Sequence, residues 1–303
     1  MDTPVISESM RAPFRAFESD NPADILRFAV DAHGEGGVAL AILTDIRGGA
    51  SRSLGSYMAI AKDGRYCGYV SGGCVEAAVA SEALKAIRDG RDRVVLFGNG
   101  SPFFDLVLPC GGGITVTIHV VKEAAAIKLA LKRLSIREAA VLCYDSVNKC
   151  LYCSSHRRRA GWNADLFSTI FTPATRLIIS GNSLETHAVQ RVAGAAGFDV
   201  LLDQDAPAKI LDRYCAVVLL HHDLDREENL LRVALRSDAF YIGALGSIRT
   251  HRQREARLAG EFASDAIARI KAPVGIFGPT RDATTLALSV IADVAASRLA
   301  LFG

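Results

Sequence analysis

The sequence carries almost no net charge and has no long hydrophobic run. Its 35 Lys and Arg residues against 33 Asp and Glu residues leave a formal charge of +2, which is too small to indicate nucleic acid or an anionic membrane as the main partner. No unbroken apolar run approaches the roughly 18 residues that would span a bilayer. The start, Met1-Asp2-Thr3-Pro4, lacks the basic and apolar regions of a signal peptide. We therefore expect neither a membrane span nor a secretion signal.

A disulfide framework is lacking as well. The seven cysteines are an odd number in scattered positions, a pattern that favours reduced thiols in the cytoplasm over structural cross-links. What the chain does have is material for a core, since half of its 303 residues are hydrophobic and 22% are charged. Because a domain usually takes about 100–200 residues, this length and composition predict two domains with substantial cores.

The first predicted domain covers residues 1–125 and is of mixed α/β type. Apolar residues at i+4 spacing before Gly90 indicate a helix at 75–89. The Asp-Gly of Lys62-Asp63-Gly64-Arg65 indicates a hairpin turn. The remaining predicted elements are a helix at 21–33 and strands at 38–44, 57–61, 66–70, 93–97 and 114–121.

A connecting segment is predicted at 126–172, with a helix at 124–134 and strands at 139–145 and 149–154. Cys150-Leu151-Tyr152-Cys153 matches the CxxC pattern, but no second pair follows at metal-ligand spacing. A strand would also place the two thiols on opposite faces. We interpret this pair as structural rather than as a zinc or redox site, and the basic run from His156 to Arg159 as a solvated turn rather than a phosphate site.

The second predicted domain covers residues 173–303. Strands at 176–180, 199–203, 216–221, 239–244 and 274–277 alternate with helical patterns that include 185–196 and 282–297. Buried strands that alternate with helices predict a parallel sheet with right-handed crossovers. The expected fold class is therefore α/β, with an N-terminal mixed α/β domain followed by a C-terminal Rossmann-like, doubly wound sheet.

Two glycine-rich turns each carry one cysteine. Ser71-Gly72-Gly73-Cys74-Val75-Glu76 precedes the predicted helix at 75–89, and Pro109-Cys110-Gly111-Gly112-Gly113 precedes the strand at 114–121. A thiol at a helix N-terminus gains thiolate character, because the orphan N–H groups and the helix dipole favour an anion. The competing interpretation is a pair of buried cysteines in tight turns. The candidate binding residues here are Cys74, Cys110, Gly72, Gly73, Gly111 and Gly112.

Other glycine turns offer anion-binding positions. Arg52 ends the turn Arg47-Gly48-Gly49-Ala50-Ser51-Arg52, near the cysteine loops. Gly181 follows the first strand of the predicted Rossmann sheet and Asp203 ends the second, where a phosphate and a ribose would bind. Only the first glycine of G-x-G-x-x-G is present, and Glu185 brings negative charge to that helix start. These features argue against ordinary NAD(P) binding, although an NAD(P)-dependent oxidoreductase stays the alternative function.

The carboxyl ends of two later strands supply the remaining candidates. His221 and His222 end one strand and point in different directions, so at most one faces the ligand crevice; His222 is the candidate. Gly246, Ser247 and Arg249 form a glycine turn that leads into a helix. Arg249 has bidentate phosphate geometry and Ser247 is suited to cap the helix. The competing interpretation is a capping turn without a ligand.

Together these segments resemble the XdhC/CoxI family, whose members are accessory factors for molybdenum hydroxylases such as xanthine dehydrogenase and carbon monoxide dehydrogenase. The resemblance lies in four ordered motifs and extends through the C-terminal stretch Pro273 to Ser289, so that it spans nearly the whole chain. Ordered motifs in two domains are far more specific than one glycine loop. The motifs are Thr44 to Tyr57, Ser71 to Glu76, Asp105 to Gly113, and Phe240 to His251.

The resemblance implies a chaperone rather than an enzyme. Such a protein would bind the molybdenum cofactor (molybdopterin), protect it, support its sulfuration by a cysteine desulfurase, and deliver it to an apo molybdenum hydroxylase. Thiolates suit the metal, and backbone amides and arginines suit the phosphate and the polar pterin. We expect Cys74 and Cys110 to share one molybdenum site and the protein to form a homodimer. A structural adaptor between hydroxylase and desulfurase is a third hypothesis.

Overall fold

The protein is described from a computed structural model of the chain. The structure describes residues 12–99, 101, 111–154, 159–203 and 211–302. The chain divides into two compact units, Met1–Phe171 and Thr172–Gly303. Residues 126–171, which the sequence suggests as a connecting segment, belong to the first unit. Cys110 and most of the basic run that begins at His156 lie outside the described residues.

Within its described residues, the first unit combines two sheets with three helices, and it contains every helix and strand predicted before residue 155. Predicted and observed ends differ by at most three residues. Its elements are β1 (Phe14–Arg15), α1 (Pro22–Gly34), β2 (Val38–Arg47), β3 (Tyr57–Ala61), β4 (Arg65–Gly68), α2 (Glu76–Asp89), β5 (Arg93–Gly98), β6 (Gly113–Val120), α3 (Ala125–Ser135), β7 (Ala140–Asp145), β8 (Cys150–Ser154), β9 (Gly161–Asn163) and β10 (Leu166–Phe171).

The larger sheet of this unit is built around β2. Its six strands lie in the order β1-β4-β3-β2-β6-β5, and all pairs except β1–β4 are antiparallel. Both faces are covered, because Val38, Leu40 and Ile42 pack with α1 and α3, whereas Ala39 and Leu43 pack with α2. The continuous apolar run of β2 therefore reflects a strand that is buried on both faces.

The second sheet has the order β8-β7-β10-β9 and is antiparallel throughout. Its Leu142 and Phe167 join the same core as α1 and α3. Strands β9 and β10 are not anticipated from the sequence, since they depend on pairing of β10 with β7, more than twenty residues away. On β8, Cys150 is exposed and Cys153 is partly buried against the core, as expected for positions on opposite faces of a strand.

The second unit is a doubly wound parallel sheet, which confirms the Rossmann-like prediction. Its strands have the order β12-β11-β13-β14-β15, every pair is parallel, and a separate core covers each face. The elements are β11 (Arg176–Ser180), α4 (Leu184–Ala195), β12 (Asp199–Leu202), β13 (Cys215–Leu219), α5 (Leu224–Leu235), β14 (Tyr241–Ala244), α6 (Ile248–Leu258), α7 (Ser264–Ile267), β15 (Ile270–Lys271) and α8 (Ala283–Phe302).

The predicted closing strand at 274–277 is wrong. The last strand is β15, which pairs with β14. Residues 274–277 do not continue it, because Gly275 has a φ of +105° and turns the chain. The amide of Phe277 then donates to Ser289 Oγ of α8 at 3.0 Å, so its hydrogen bond goes to a helix rather than to a strand.

Helix α8 combines a largely apolar composition with a length of 20 residues. Among the described residues it is the helix that is long and apolar enough to cross a membrane, because only scattered polar residues interrupt it. One side, including Leu286 and Val290, lies in the core against the parallel sheet. Its buried Asp293 accepts a hydrogen bond from Tyr241 Oη at 2.7 Å and pairs with Lys271. These contacts are those of the core helix of this unit.

Candidate functional site

The turn at residues 47–52 contacts both glycine loops in the first unit. A methyl group added to Gly112 would lie 2.2 Å from the carbonyl oxygen of Gly49. One added to Gly72 would lie 3.1 Å from Ser51 Oγ. The backbone at Gly112 therefore lies too close to Gly49 for any side chain, which is the physical reason for glycine there. At Gly72 a side chain would crowd the hydroxyl of Ser51. The structure thus joins the Cys74 loop and the loop after Cys110 through one turn.

The side chain of Arg47 holds this turn to the sheet. Its guanidinium donates to Asn99 O at 3.2 Å, to Thr115 Oγ1 at 2.7 Å and to Ile114 O at 3.2 Å, and it pairs with Asp45 at 2.7 Å. The acceptors of these contacts lie on β2, on β6 and directly after β5. Arg47 is therefore a structural link.

Arg52, at the other end of the turn, keeps donors available. It pairs with Asp20 at 2.9 Å through Nη1, and its guanidinium carbon lies 4.9 Å from the ring centroid of Tyr69. Arg15 stacks on the same ring at 4.2 Å. Because a guanidinium carries five N–H donors, Arg52 retains the capacity to bind an anion beside the Cys74 loop.

The Cys74 loop is held by the buried carboxylate of Glu76, the first residue of α2. Glu76 Oε1 accepts hydrogen bonds from the amides of Val70 at 3.2 Å and Ser71 at 2.8 Å, and Oε2 accepts one from Val75 N at 3.2 Å. Ser71 Oγ donates to Glu76 Oε2 at 2.8 Å and accepts from Cys74 N at 3.1 Å. The amides of Cys74 and Val75 are thus already used, and the anion predicted at this helix terminus is the protein's own carboxylate.

The thiol of Cys74 is exposed on this loop. A methyl group added to Gly73 would meet no atom within 4 Å, and the same holds at Gly111, so open space adjoins both positions. Cys110 lies outside the described residues, so the shared Cys74–Cys110 site stays a prediction. No three His, Cys, Asp or Glu side chains gather into a metal site within the part of the chain that the structure describes.

In the second unit, the loop after β11 is filled by its own side chains. A methyl group on Gly181 would lie 2.4 Å from Thr186 Oγ1, and Ser183 caps α4 in a reciprocal pair with Thr186. The pKa of Glu185 is lowered by hydrogen bonds from the Ser183 side chain and the backbone and by the nearby His222. A carboxylate therefore occupies the helix terminus where a dinucleotide phosphate would bind.

The carboxyl ends of β11, β12 and β13 meet in a polar cluster of Ser180, Asp203 and His221. Ser180 Oγ donates to Asp203 Oδ2 at 2.8 Å and lies 2.8 Å from His221 Nε2. Asp203 is at the predicted strand end, but it is His221 rather than the candidate His222 that joins this cluster; His222 is exposed. Ser180 was not among the predicted residues, although its position directly before Gly181 is a usable signal.

The turn at Gly246 and Ser247 has the geometry of a helix cap. Ser247 Oγ accepts from the amide of Thr250 at 3.2 Å, and Gly246 has a φ of +127°, a conformation that favours glycine. Arg249 is exposed in the first turn of α6. The structure thus shows the cap directly, and a phosphate at Arg249 stays a prediction.

Fold and site together define a class of protein in which a thiol-bearing α/β unit precedes a Rossmann-like unit. Two family models match the chain: the XdhC and CoxI family over residues 32–98 and the XdhC Rossmann domain over residues 177–294. The chain belongs to the XdhC and CoxI family, and the resemblance drawn from its motifs is confirmed.

Individual relatives agree with this assignment. The molybdenum cofactor insertion chaperone PaoD of Escherichia coli is 48% identical over 297 residues, which cover 96% of this chain and 93% of PaoD. That similarity to a chaperone supports an accessory factor rather than an enzyme. The uncharacterized protein YqeB of Escherichia coli is 27% identical over 84% of this chain, which spans 42% of YqeB.

A solved structure shows the same fold. A Bacillus halodurans protein described as a xanthine dehydrogenase matches with a TM-score of 0.72 at 17% identity, over 93% of this chain and 96% of that one. At this level of identity the match supports the architecture alone.

Proposed function

We propose that this chain is a cytoplasmic chaperone of the molybdenum cofactor. It binds the cofactor, protects it, supports its sulfuration by a cysteine desulfurase, and delivers it to an apo molybdenum hydroxylase such as xanthine dehydrogenase. The observation that carries the proposal is the 48% identity, over nearly the whole of both chains, to a protein named as a molybdenum cofactor insertion chaperone.

The first unit offers groups that suit such a cargo. The exposed thiol of Cys74 is a soft ligand of the kind that binds transition metals, and open space lies beside Gly73. Arg52 offers guanidinium donors for a phosphate. It follows directly on Ser51, which contacts Gly72 of the Cys74 loop. We place the cargo at this turn, with Cys74 and Cys110 at its metal end.

The test is retention of the cofactor by purified protein. The full chain is produced in cells supplied with molybdate, and molybdenum and pterin are measured per chain for the parent, Cys74→Ser, Cys110→Ser and the double variant. Ser keeps most of the volume but removes the soft ligand, so retention falls sharply in Cys110→Ser and measurably in Cys74→Ser. Cys150→Ser, which alters another exposed thiol, is the matched control with full retention.

Two outcomes oppose the proposal. If the parent retains no cofactor, the protein is not a cofactor carrier. If the double variant retains as much as the parent at an unchanged melting temperature, neither cysteine binds the metal. In either case, pull-down of hydroxylase and desulfurase that survives loss of both cysteines would support the structural adaptor instead.

Titration with NADH and NADPH tests the alternative of an oxidoreductase. The acidic N-terminus of α4, where Glu185 carries its charge, disfavours a dinucleotide phosphate. We expect no saturable binding of either nucleotide at micromolar concentration, and tight binding of one would reverse the order of the two hypotheses. Light scattering on the same samples tests the proposed homodimer.

A further inference from the structure

A cavity of about 190 Å³ lies within the first unit beside the turn at residues 47–52. Its lining includes Ile25 and Leu26 of α1 and Phe171 of β10, all of them buried. Asp20 and Arg52 also line it, with side chains that are 68% and 30% exposed. The cavity therefore has a buried apolar side and a charged side that reaches solvent.

Two buried hydroxyls on this lining, those of Tyr57 and Thr169, interact with each other but make no well-formed hydrogen bond within the described residues. Tyr57 and Thr169 are 4% and 6% exposed, and neither Tyr57 Oη nor Thr169 Oγ1 makes a hydrogen bond of ordinary geometry within the described residues. Buried polar groups are nearly always paired, since leaving one unpaired costs about 1–3 kcal/mol. Burial raises the pKa of Tyr57, so its hydroxyl stays neutral and able to donate. A ligand with a hydrogen-bonding edge would give each hydroxyl a well-formed hydrogen bond.

The exposed side suits an anion next to a flat ring. Arg52 uses only Nη1 for Asp20, and its remaining N–H groups have the fork geometry that binds phosphate. The ring of Tyr69 lines the cavity as well. A cavity of about 150 Å³ holds a benzene ring, so a slightly larger space accepts a small planar ring system rather than a whole dinucleotide.

We propose that this cavity binds the pterin ring of the molybdenum cofactor, with the cofactor phosphate directed to Arg52. This inference rests on the proposed function. A nucleobase of the dinucleotide form is also a planar heterocycle joined to phosphate. The pterin is favoured because it is joined directly to the ring that carries the metal-binding sulfurs. Arg52 and Ser53 of the cavity lining follow directly on Ser51, which contacts Gly72 of the Cys74 loop.

Equilibrium dialysis with 6-hydroxymethylpterin, detected by its own fluorescence, tests the proposal on the full chain. Thr169→Val and Tyr57→Phe remove these two hydroxyls with little change of shape. Each weakens pterin binding about tenfold, as expected for one lost hydrogen bond. Because neither hydroxyl makes a well-formed hydrogen bond within the described residues, the urea midpoint stays equal or rises, which a structural hydroxyl would not show.

Matched controls alter hydroxyls that are already paired. Tyr144 Oη donates to Asp92 at 2.7 Å, and Thr117 Oγ1 lies 2.9 Å from Thr44 Oγ1. Tyr144→Phe and Thr117→Val therefore lower the urea midpoint and leave pterin binding unchanged. Arg52→Gln weakens binding of the monophosphate ester of the same pterin but not of the unphosphorylated probe.

The possible outcomes separate this inference from the proposed function. The cavity assignment is overturned if the parent does not bind pterin, or if Thr169→Val and Tyr57→Phe both bind pterin as tightly as the parent does. This holds even where the parent retains whole cofactor. Displacement of the probe by cytidine or guanosine monophosphate at lower concentration than by pterin itself assigns the cavity to the nucleobase and also overturns it. Cys74→Ser with full pterin affinity but reduced molybdenum supports separate sites for ring and metal.

Discussion

Replacing Glu76 by Gln tests how the Cys74 loop is held. The carboxylate accepts from Val70 N and Ser71 N through one oxygen and from Val75 N through the other. Gln keeps the size of the side chain and one carbonyl oxygen. With that oxygen facing Val70 and Ser71, the new NH₂ group faces the amide of Val75 and the hydroxyl of Ser71. The Ser71 hydroxyl can donate to the remaining oxygen, which lies 3.0 Å away, whereas Val75 N meets a donor in place of its carboxylate acceptor.

The expected cost follows from that exchange. Glu76 is 1% exposed, so water does not replace the lost acceptor. A buried donor left without its acceptor costs about 1–3 kcal/mol. The free energy of unfolding falls by that amount if the loop opens only with the unit as a whole. Where it opens locally, amide exchange accelerates roughly 5-fold to 150-fold, at a factor of ten per 1.4 kcal/mol.

Two measurements with one control decide the matter. Urea denaturation gives the free energy of unfolding, and hydrogen exchange by mass spectrometry reports the amides of residues 70–75. Glu82→Gln on the same helix is the control, because Glu82 forms its ion pairs with Lys85 at 2.7 Å and Arg93 at 3.0 Å rather than with residues 70–75. Exchange at 70–75 that is no faster in Glu76→Gln than in Glu82→Gln would refute the role of the carboxylate.

Three further predictions concern other parts of the chain. Gly112→Ala lowers the free energy of unfolding by roughly 1–3 kcal/mol, because its methyl group would lie 2.2 Å from Gly49 O; a urea midpoint equal to that of the parent contradicts this close contact. Burial raises the pKa of Asp92, but hydrogen bonds from His119 and Tyr144 outweigh burial and bring it below 3.8. The stability that Asp92 contributes is therefore fully present above pH 3.8 and is lost as the pH falls through the lower folded value. The difference in unfolding free energy between the parent and Asp92→Asn is therefore constant above about pH 4 and shrinks as the pH falls below 3.8; a difference that stays constant on acidification argues against the assignment. Arg249→Ala changes the free energy of unfolding by less than about 0.5 kcal/mol, since Arg249 is exposed. It weakens cofactor binding by roughly 1.5–3 kcal/mol. Lower stability at unchanged affinity would show that this turn is a helix cap without a ligand.

Local sequence patterns determined most of the helices and strands. The strand β11 and the helix α2 can be predicted from short stretches of sequence. Burial on one or both faces of an element imposes a characteristic spacing of apolar residues, and this spacing is visible within the segment itself. The ordered motifs likewise sufficed for the family, since they combine cysteine loops in one half with a Rossmann pattern in the other. The positions of Gly72 and Gly112 were predicted as turns for the same local reason.

Tertiary structure alone decided what those turns contact. The return of Glu76 onto its own loop, the contact of Ser51 with Gly72, and the pairing of β10 with β7 depend on segments brought together by folding. The hydroxyls of Tyr57 and Thr169 belong to strands of different sheets, and only packing places both on one cavity. Hydrophobic periodicity specifies which face of an element is buried, whereas the partner of each polar group is set by register and packing between distant segments.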